Sequence, residues 1–205
     1  MQQQNPFAEK ELAGGHLALD FANTAGVHGD EPLSEWLAGY PDLVWWSLRA
    51  GAIDPAVADA LLAAAAARPD EAAAVFTRAI ALRETVYRVF SPICHGACAN
   101  ERDLAVLNGE LALALPHLRV VRDGEGYAWA WEGGGLDRVL WPVARAATEL
   151  LTSGELARIG ECEGDQCEWL YLDTSRNRSR RWCVMSDCGN RAKARRHYHR
   201  SRSGA

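Results

Sequence analysis

Lysine is almost missing from this 205-residue chain. Lys10 and Lys193 are the two, so nearly all of the 22 basic side chains are arginines. Arginine's planar fork suits bidentate contact with phosphate or a guanine edge better than an ammonium does. No apolar run approaches the ~20 residues a membrane-spanning helix needs, so membrane insertion by a helix is not expected. The opening Met1-Gln2-Gln3-Gln4-Asn5-Pro6 has neither a basic start nor an apolar core, so no secretory signal is read and a cytoplasmic location is expected. GxSxG, a glycine-rich phosphate loop before a helix, and HExxH are all missing, which removes the commonest hydrolase and nucleotide-binding signatures. His16 and His28 with Asp20 or Asp30 form an acid–base set too unspecific to indicate an enzyme, so a non-enzyme is expected.

Cysteine is present in a pattern. Cys162 with Cys167 and Cys183 with Cys188 form two CxxxxC pairs with fifteen residues between them. A four-residue gap lets both thiolates turn inward onto one ion, and two such knuckles complete the tetrahedral four-thiolate sphere of structural Zn²⁺. Gly164 in the first knuckle and Ser186-Asp187 in the second suit tight turns. In a chain without a leader the thiols stay reduced, which favours metal over three disulfides. Four thiolates leave no open position for water, so the ion is structural, one per chain, and its loss should unfold so small a module. Cys94-His95 with Cys98 lies at the end of a helical stretch and reads as ordinary packing, with a redox-sensing thiol as the alternative.

The run Cys162-x4-Cys167, Leu172-Asp173-Thr174-Ser175-Arg176-Asn177, Arg180-Arg181-Trp182-Cys183 and Cys188-Gly189-Asn190-Arg191 resembles the CGNR zinc-finger family. Upstream, Gly15-His16-Leu17-Ala18-Leu19-Asp20-Phe21-Ala22-Asn23-Thr24 resembles the start of the ABATE domain, which such fingers follow in bacterial stress-induced transcription regulators. The resemblance implies zinc, DNA binding and transcriptional regulation.

Charge is divided unevenly. Residues 174–205 carry ten Lys/Arg against the single acid Asp187, a net +9, while the remainder carries −14. An acidic body with a basic end is the asymmetry of a polyanion binder. Arg176, Arg178, Arg180, Arg181, Asn190, Arg191, Lys193, Arg195 and Arg196 are therefore the candidate contacts to double-stranded DNA, with the helix after Cys188 as the groove candidate. Asn190 also suits a helix cap. Trp182 and Tyr198 could stack on exposed bases, though packing over the zinc core is favoured, and His197 and His199 are expected to face solvent or phosphate. A single finger offers limited area, so a homodimer or a second partner is expected to assist. The alternative is a protein-interaction module whose finger binds an acidic partner.

The expected fold class is α+β: a mostly helical N-terminal domain with one β-hairpin, residues 1–153, followed by a small four-cysteine zinc finger, residues 154–205. Asp54-Pro55 and Asn100 announce helix starts, and Pro69 and Pro116 mark helix ends. Residues 70–90 carry apolar groups at three- and four-residue spacings, predicting a long helix with one buried face. Alternation around Asp123-Gly124-Glu125-Gly126 predicts the hairpin. Gly15 to Phe21 is either strand or helix, and Pro142 either starts or kinks the next helix. Trp169 to Leu172 predicts a strand, with Arg180 to Cys183 returning toward the metal. Trp36, Trp45, Trp46, Trp129 and Trp131 are expected in the core. Asp20, Asn23 and Thr24 follow an apolar run and are candidates for a small-effector pocket, with capping or a buried hydrogen-bond network as the competing reading.

Overall fold

The computed structural model describes residues 5–29 and 34–203, apart from the side chains of 196, 197 and 199–203. The ambiguous stretch after Gly15 is a helix, α1 (Leu17–Ala22). It has only six residues and is opened by His16, whose Nδ1 accepts the Ala18 N–H at 3.3 Å. So short a helix has little stability of its own. It persists because Ala18 through Ala22 are buried, against α4 (Pro69–Cys94) and α6 (Trp141–Leu151).

The other helices follow their local signals. Pro41 sits in the first turn of α2 (Tyr40–Arg49), and Gly51 takes a left-handed φ of +71° just past its end. Asp54 caps α3 (Pro55–Ala67) by accepting the Val57 N–H at 2.9 Å. Pro69 ends α3 and also begins α4, where its missing N–H is not needed. Along α4, Ala72, Val75, Ala79, Leu82, Val86, Val89 and Phe90 are buried at helical spacing. Asn100 caps α5 (Glu101–Ala114) through the N–H groups of Arg102 and Asp103. Pro142 lies in the first turn of α6, so it opens that helix rather than kinking it.

A short pair, β1 (Ala25–Gly26) and β2 (Ser34–Glu35), closes the segment after α1. β3 (Leu118–Asp123) and β4 (Gly126–Trp131) form the expected antiparallel hairpin, with Gly124 at φ +56° in its turn. The last pair is β5 (Ile159–Glu161) with β6 (Leu170–Leu172). The predicted strand after Cys167 is thus present, paired with β5, and Arg180 to Cys183 returns to the cysteine cluster without forming a strand. A wide π turn, Met185–Gly189, leads into α7 (Asn190–Ser203). With 54% helix and small hairpins, the α+β class stands.

Trp46 is fully buried and its ring lies 5.1 Å from that of Phe21. Trp129 differs from expectation: it is 58% exposed. The hairpin packs at its root, where Trp131 meets Trp141 at 5.9 Å, and projects past the body toward its tip. Val120, paired across from Trp129, and Tyr127 are accordingly exposed as well.

The main core does not stop at the helical body. Ile159 of β5 and Leu170 of β6 belong to the same apolar cluster as Leu19, Phe21, Leu82 and Phe90. A second small cluster gathers the four finger cysteines with Ala13, flanked by Trp169, Trp182 and Val184.

Candidate zinc centre and nucleic-acid interface

Cys162 follows β5, Cys167 precedes β6, and Cys183 and Cys188 flank the start of the π turn, so two turns converge from opposite sides. The four sulfurs lie within 4.8 Å of one another, with Cys167–Cys183 at 3.5 Å and Cys183–Cys188 at 3.6 Å. The edge of a Zn–thiolate tetrahedron is about 3.8 Å, from Zn–S bonds of about 2.3 Å. All four residues are buried, and none is in a disulfide. Within the cluster, hydrogen bonds from the Cys167 and Cys183 thiols hold Cys162 well below the usual thiol range, while the Cys162 contact pushes Cys167 up. A divalent ion takes the place of the thiol protons, so this donor set fits structural Zn²⁺. Among the described residues it is the one cluster of three or more His, Cys, Asp or Glu side chains that could hold a metal.

Gly164 earns its place by the absence of a Cβ, which would sit 3.0 Å from Cys188 Sγ and 3.3 Å from Cys162 Sγ. The left-handed positions of this knuckle fall on Gln166 and Glu168 instead, at φ +58° and +55°. In the second knuckle each residue has a visible task. A Cβ on Gly189 would collide with the Met185 sulfur. Asn190 lies already within the helix and donates from Nδ2 to the Ser186 carbonyl at 3.1 Å. Arg191 donates to Cys188 Sγ at 3.0 Å and pairs with Asp187 at 3.3 Å.

The profile of the family described as "Putative stress-induced transcription regulator", ABATE, matches residues 15–154, and that of the CGNR zinc finger matches residues 158–201. The chain belongs to the ABATE family. No curated protein matches it. In this ABATE chain the finger is docked firmly on the helical body. Asn23 clamps Leu170 as a strand neighbour would: its Nδ2 donates to the Leu170 carbonyl and its Oδ1 accepts the Leu170 N–H, both at 2.8 Å. Leu172 N–H donates to the Gly14 carbonyl at 2.8 Å, and Gly14 N–H donates to Asp20 Oδ1 at 2.7 Å. A Cβ on Gly14 would lie 2.7 Å from the Asp20 nitrogen, so only glycine permits that approach. Thr24 Oγ1 donates to the Phe21 carbonyl at 2.8 Å. Asp20, Asn23 and Thr24 are all buried and engaged within the chain.

A second seam escaped sequence reasoning, because its partners lie far apart along the chain. The His28 ring stacks on Tyr87 at 3.6 Å and contacts Glu84 at 3.1 Å; Glu84 also pairs with the buried Arg83, which reaches Glu35 at 2.7 Å. The His28 N–H donates to Glu168, beside the ligand Cys167, and Trp169 Nε1 donates to the Ala25 carbonyl at 2.9 Å. The candidate acid partner Asp30 lies outside the described residues. His16 is taken up as the cap of α1. Cys94 Sγ donates to the Phe90 carbonyl, and burial pushes its thiol up to about 12.

The basic candidates divide into three groups. Arg180 faces inward, donating to the carbonyls of Ala13, Leu172, Trp182 and Cys183 with its guanidinium 4.4 Å over the Tyr171 ring. Arg181, Arg191 and Arg195 form ion pairs with the knuckle acids Glu163, Asp187 and Asp165. Arg176, Arg178 and Lys193 are exposed, with no ion-pair partner among the described residues. The side chains of Arg196, His197 and His199 lie outside the described residues. No helix of the described chain is long and apolar enough to cross a membrane.

Proposed function

We propose that this chain is a non-catalytic transcription regulator of the bacterial cytoplasm whose zinc finger binds duplex DNA. The observation that carries the reading is the set of cations Arg176, Arg178 and Lys193, without ion-pair partners among the described residues and exposed on a metal-stapled module within a segment of net charge +9. Arg196 is added as a candidate by its place in the sequence alone, and Arg181, Arg191 and Arg195 join by exchanging carboxylate partners for phosphates. α7, with Asn190 and Arg191 at its start, is the groove element. Arg180 serves the finger's construction. Phosphate contacts set affinity and salt dependence, leaving few side chains to read bases.

In this reading residues 154–205 contact DNA and residues 1–153 sense and dimerise. A homodimer supplies the area that one finger lacks, and Val106 and Leu113, exposed on one face of α5, are apolar groups available to it. Asp20, Asn23 and Thr24 transmit between the two parts: an effector acting there exchanges its own hydrogen bonds for those that seat the finger.

The test is DNA binding across a salt series by zinc-loaded protein and by Cys183→Ser. Expected are loss of zinc and of binding in the variant, and a salt slope in the native protein of about −3 or steeper for three or more phosphates at ~0.9 each. No binding at low salt overturns the reading and points instead to an acidic protein partner for the finger.

A further inference from the structure

A cavity of about 380 Å³ opens between β4, the turn joining α2 to α3, and the start of α6. That size is within the range of small-molecule sites, which pair apolar and aromatic walls with a few polar groups. Its walls are the indoles of Trp129 and Trp131 with Ile53 and Val57; its charged groups are Arg138 and Asp54.

The two indoles are fixed without being buried. Trp129 is 58% exposed, yet the Arg145 guanidinium lies 5.0 Å from its ring centre and is itself tied to Glu149 at 2.7 Å. Trp131 is braced by Trp141. Leaving a large aromatic open to water forfeits the burial that would otherwise stabilise the fold. Arg138 supplies the complementary group. One of its nitrogens donates to the Gly133 carbonyl at 2.7 Å, which orients the guanidinium, and no carboxylate pairs with it among the described residues. The neighbouring Arg119 and Arg145 are paired with Glu132 and Glu149. Asp54 is committed to capping α3 through one oxygen, and its charge at the rim disfavours a dianion more than a monoanion.

We propose that this cavity binds a small planar aromatic monocarboxylate, its ring against the indoles and its carboxylate on Arg138. Aromatic stacking holds the ring, and the charge-assisted guanidinium contact selects the acid over its neutral analogue. The site stands apart from the DNA reading, since its occupancy is measured with no nucleic acid present.

The experiment is calorimetric titration of the full-length, zinc-loaded protein with benzoate, salicylate and indole-3-acetate, alongside benzamide and indole-3-acetamide. At least one acid is expected to bind in the submillimolar range, about tenfold tighter than its amide, the scale of one charged hydrogen bond. Trp129→Ala should weaken the acid by about tenfold or more, as loss of a stacking wall does. Arg138→Gln should bring acid and amide to equal affinity. Unchanged melting temperature and zinc content in both variants establish that their folds are intact; Trp129 is exposed enough for this to hold. No binding of any acid at millimolar concentration, native affinities equal for acid and amide, or affinities unmoved by both variants would each overturn the proposal.

Discussion

Replacing Asn23 by alanine tests whether finger and helical body are one cooperative unit. Asn23 is 3% exposed, and both of its hydrogen bonds go to the backbone of Leu170, which is fully buried. Alanine leaves the Leu170 N–H and carbonyl without partners in a place water does not reach. Each such orphan costs about 1–3 kcal/mol, so the pair costs about 2–6 kcal/mol, against a typical total stability of about 5–15 kcal/mol. For a chain of this size, at about 2–4 °C per kcal/mol, that lowers the melting temperature by roughly 4–24 °C. The assay is calorimetry of both proteins, with zinc and with a strong chelator. Zinc loss should itself loosen β6 from Asn23, so the substitution should cost much less in the chelated state, a coupling between non-contacting perturbations. A zinc-loaded variant melting within about 2 °C of the native protein would refute the seam's importance. An equal loss in both states would refute its coupling to the metal.

Arg180→Ala removes donors from four backbone carbonyls and a cation from the face of Tyr171, and should destabilise the finger by about 2–4 kcal/mol. Zinc transfer to a chelator would be faster, whereas Arg176→Ala and Arg178→Ala should shift stability by no more than ~0.5 kcal/mol; equal zinc release in all three would defeat this division. Neutralising the knuckle acids together (Glu163→Gln, Asp165→Asn, Asp187→Asn) releases Arg181, Arg195 and Arg191 to phosphate. DNA affinity at low salt should rise and the salt slope steepen by up to about 3; lower or equal affinity would show that the acids do not compete with DNA. Burial pushes the Asp20 carboxyl up to about 6, against the N–H of Gly14 and the charges of Arg180 and Arg49. The folded chain therefore holds this proton more tightly than the unfolded one between 3.8 and about 6, so its contribution to stability is lost as pH rises through that window. Asp20→Asn keeps an acceptor for Gly14 and removes the charge, so it should gain on the native protein from pH 5 to 7, by about 1–3 kcal/mol at the top; parallel denaturation curves would contradict this.

Local chemistry made much of the fold readable. Asp54-Pro55, Asn100 and the Asp123–Gly126 turn act within a few residues, and each produced its element where the chain announces it. The zinc ligands were readable for a similar reason, since the spacing of Cys162 with Cys167 and of Cys183 with Cys188 is a short-range property. What the chain conceals is long-range. β5 gave no alternating signal in its three residues, and it exists because β6 has two edges: Leu170 gives both its backbone groups to Asn23, while the alternate residues bond across to the β5 segment, as Trp169 does to Cys162 and Asp173 to Arg158. Trp129 belongs in a core by composition, and only the hairpin's projection beyond α6 leaves it exposed.

Arginine shows where composition stops informing function. The same side chain donates to carbonyls at Arg180, to a thiolate at Arg191 and to carboxylates at Arg181 and Arg195, and stands open at Arg176 and Arg178. These uses differ only in what the fold places alongside, so ten cations in the sequence are not ten contacts to a polyanion. The Cys188-Gly189-Asn190-Arg191 motif carries the point further. Its cysteine completes the metal set, its glycine clears Met185, its asparagine holds Ser186, and its arginine bonds the ligand sulfur. With each of these side chains partnered inside the finger, the motif specifies how the finger is built. In the proposed DNA-binding role, discrimination between targets would then fall to cations outside the motif, such as Arg176, Arg178 and Lys193.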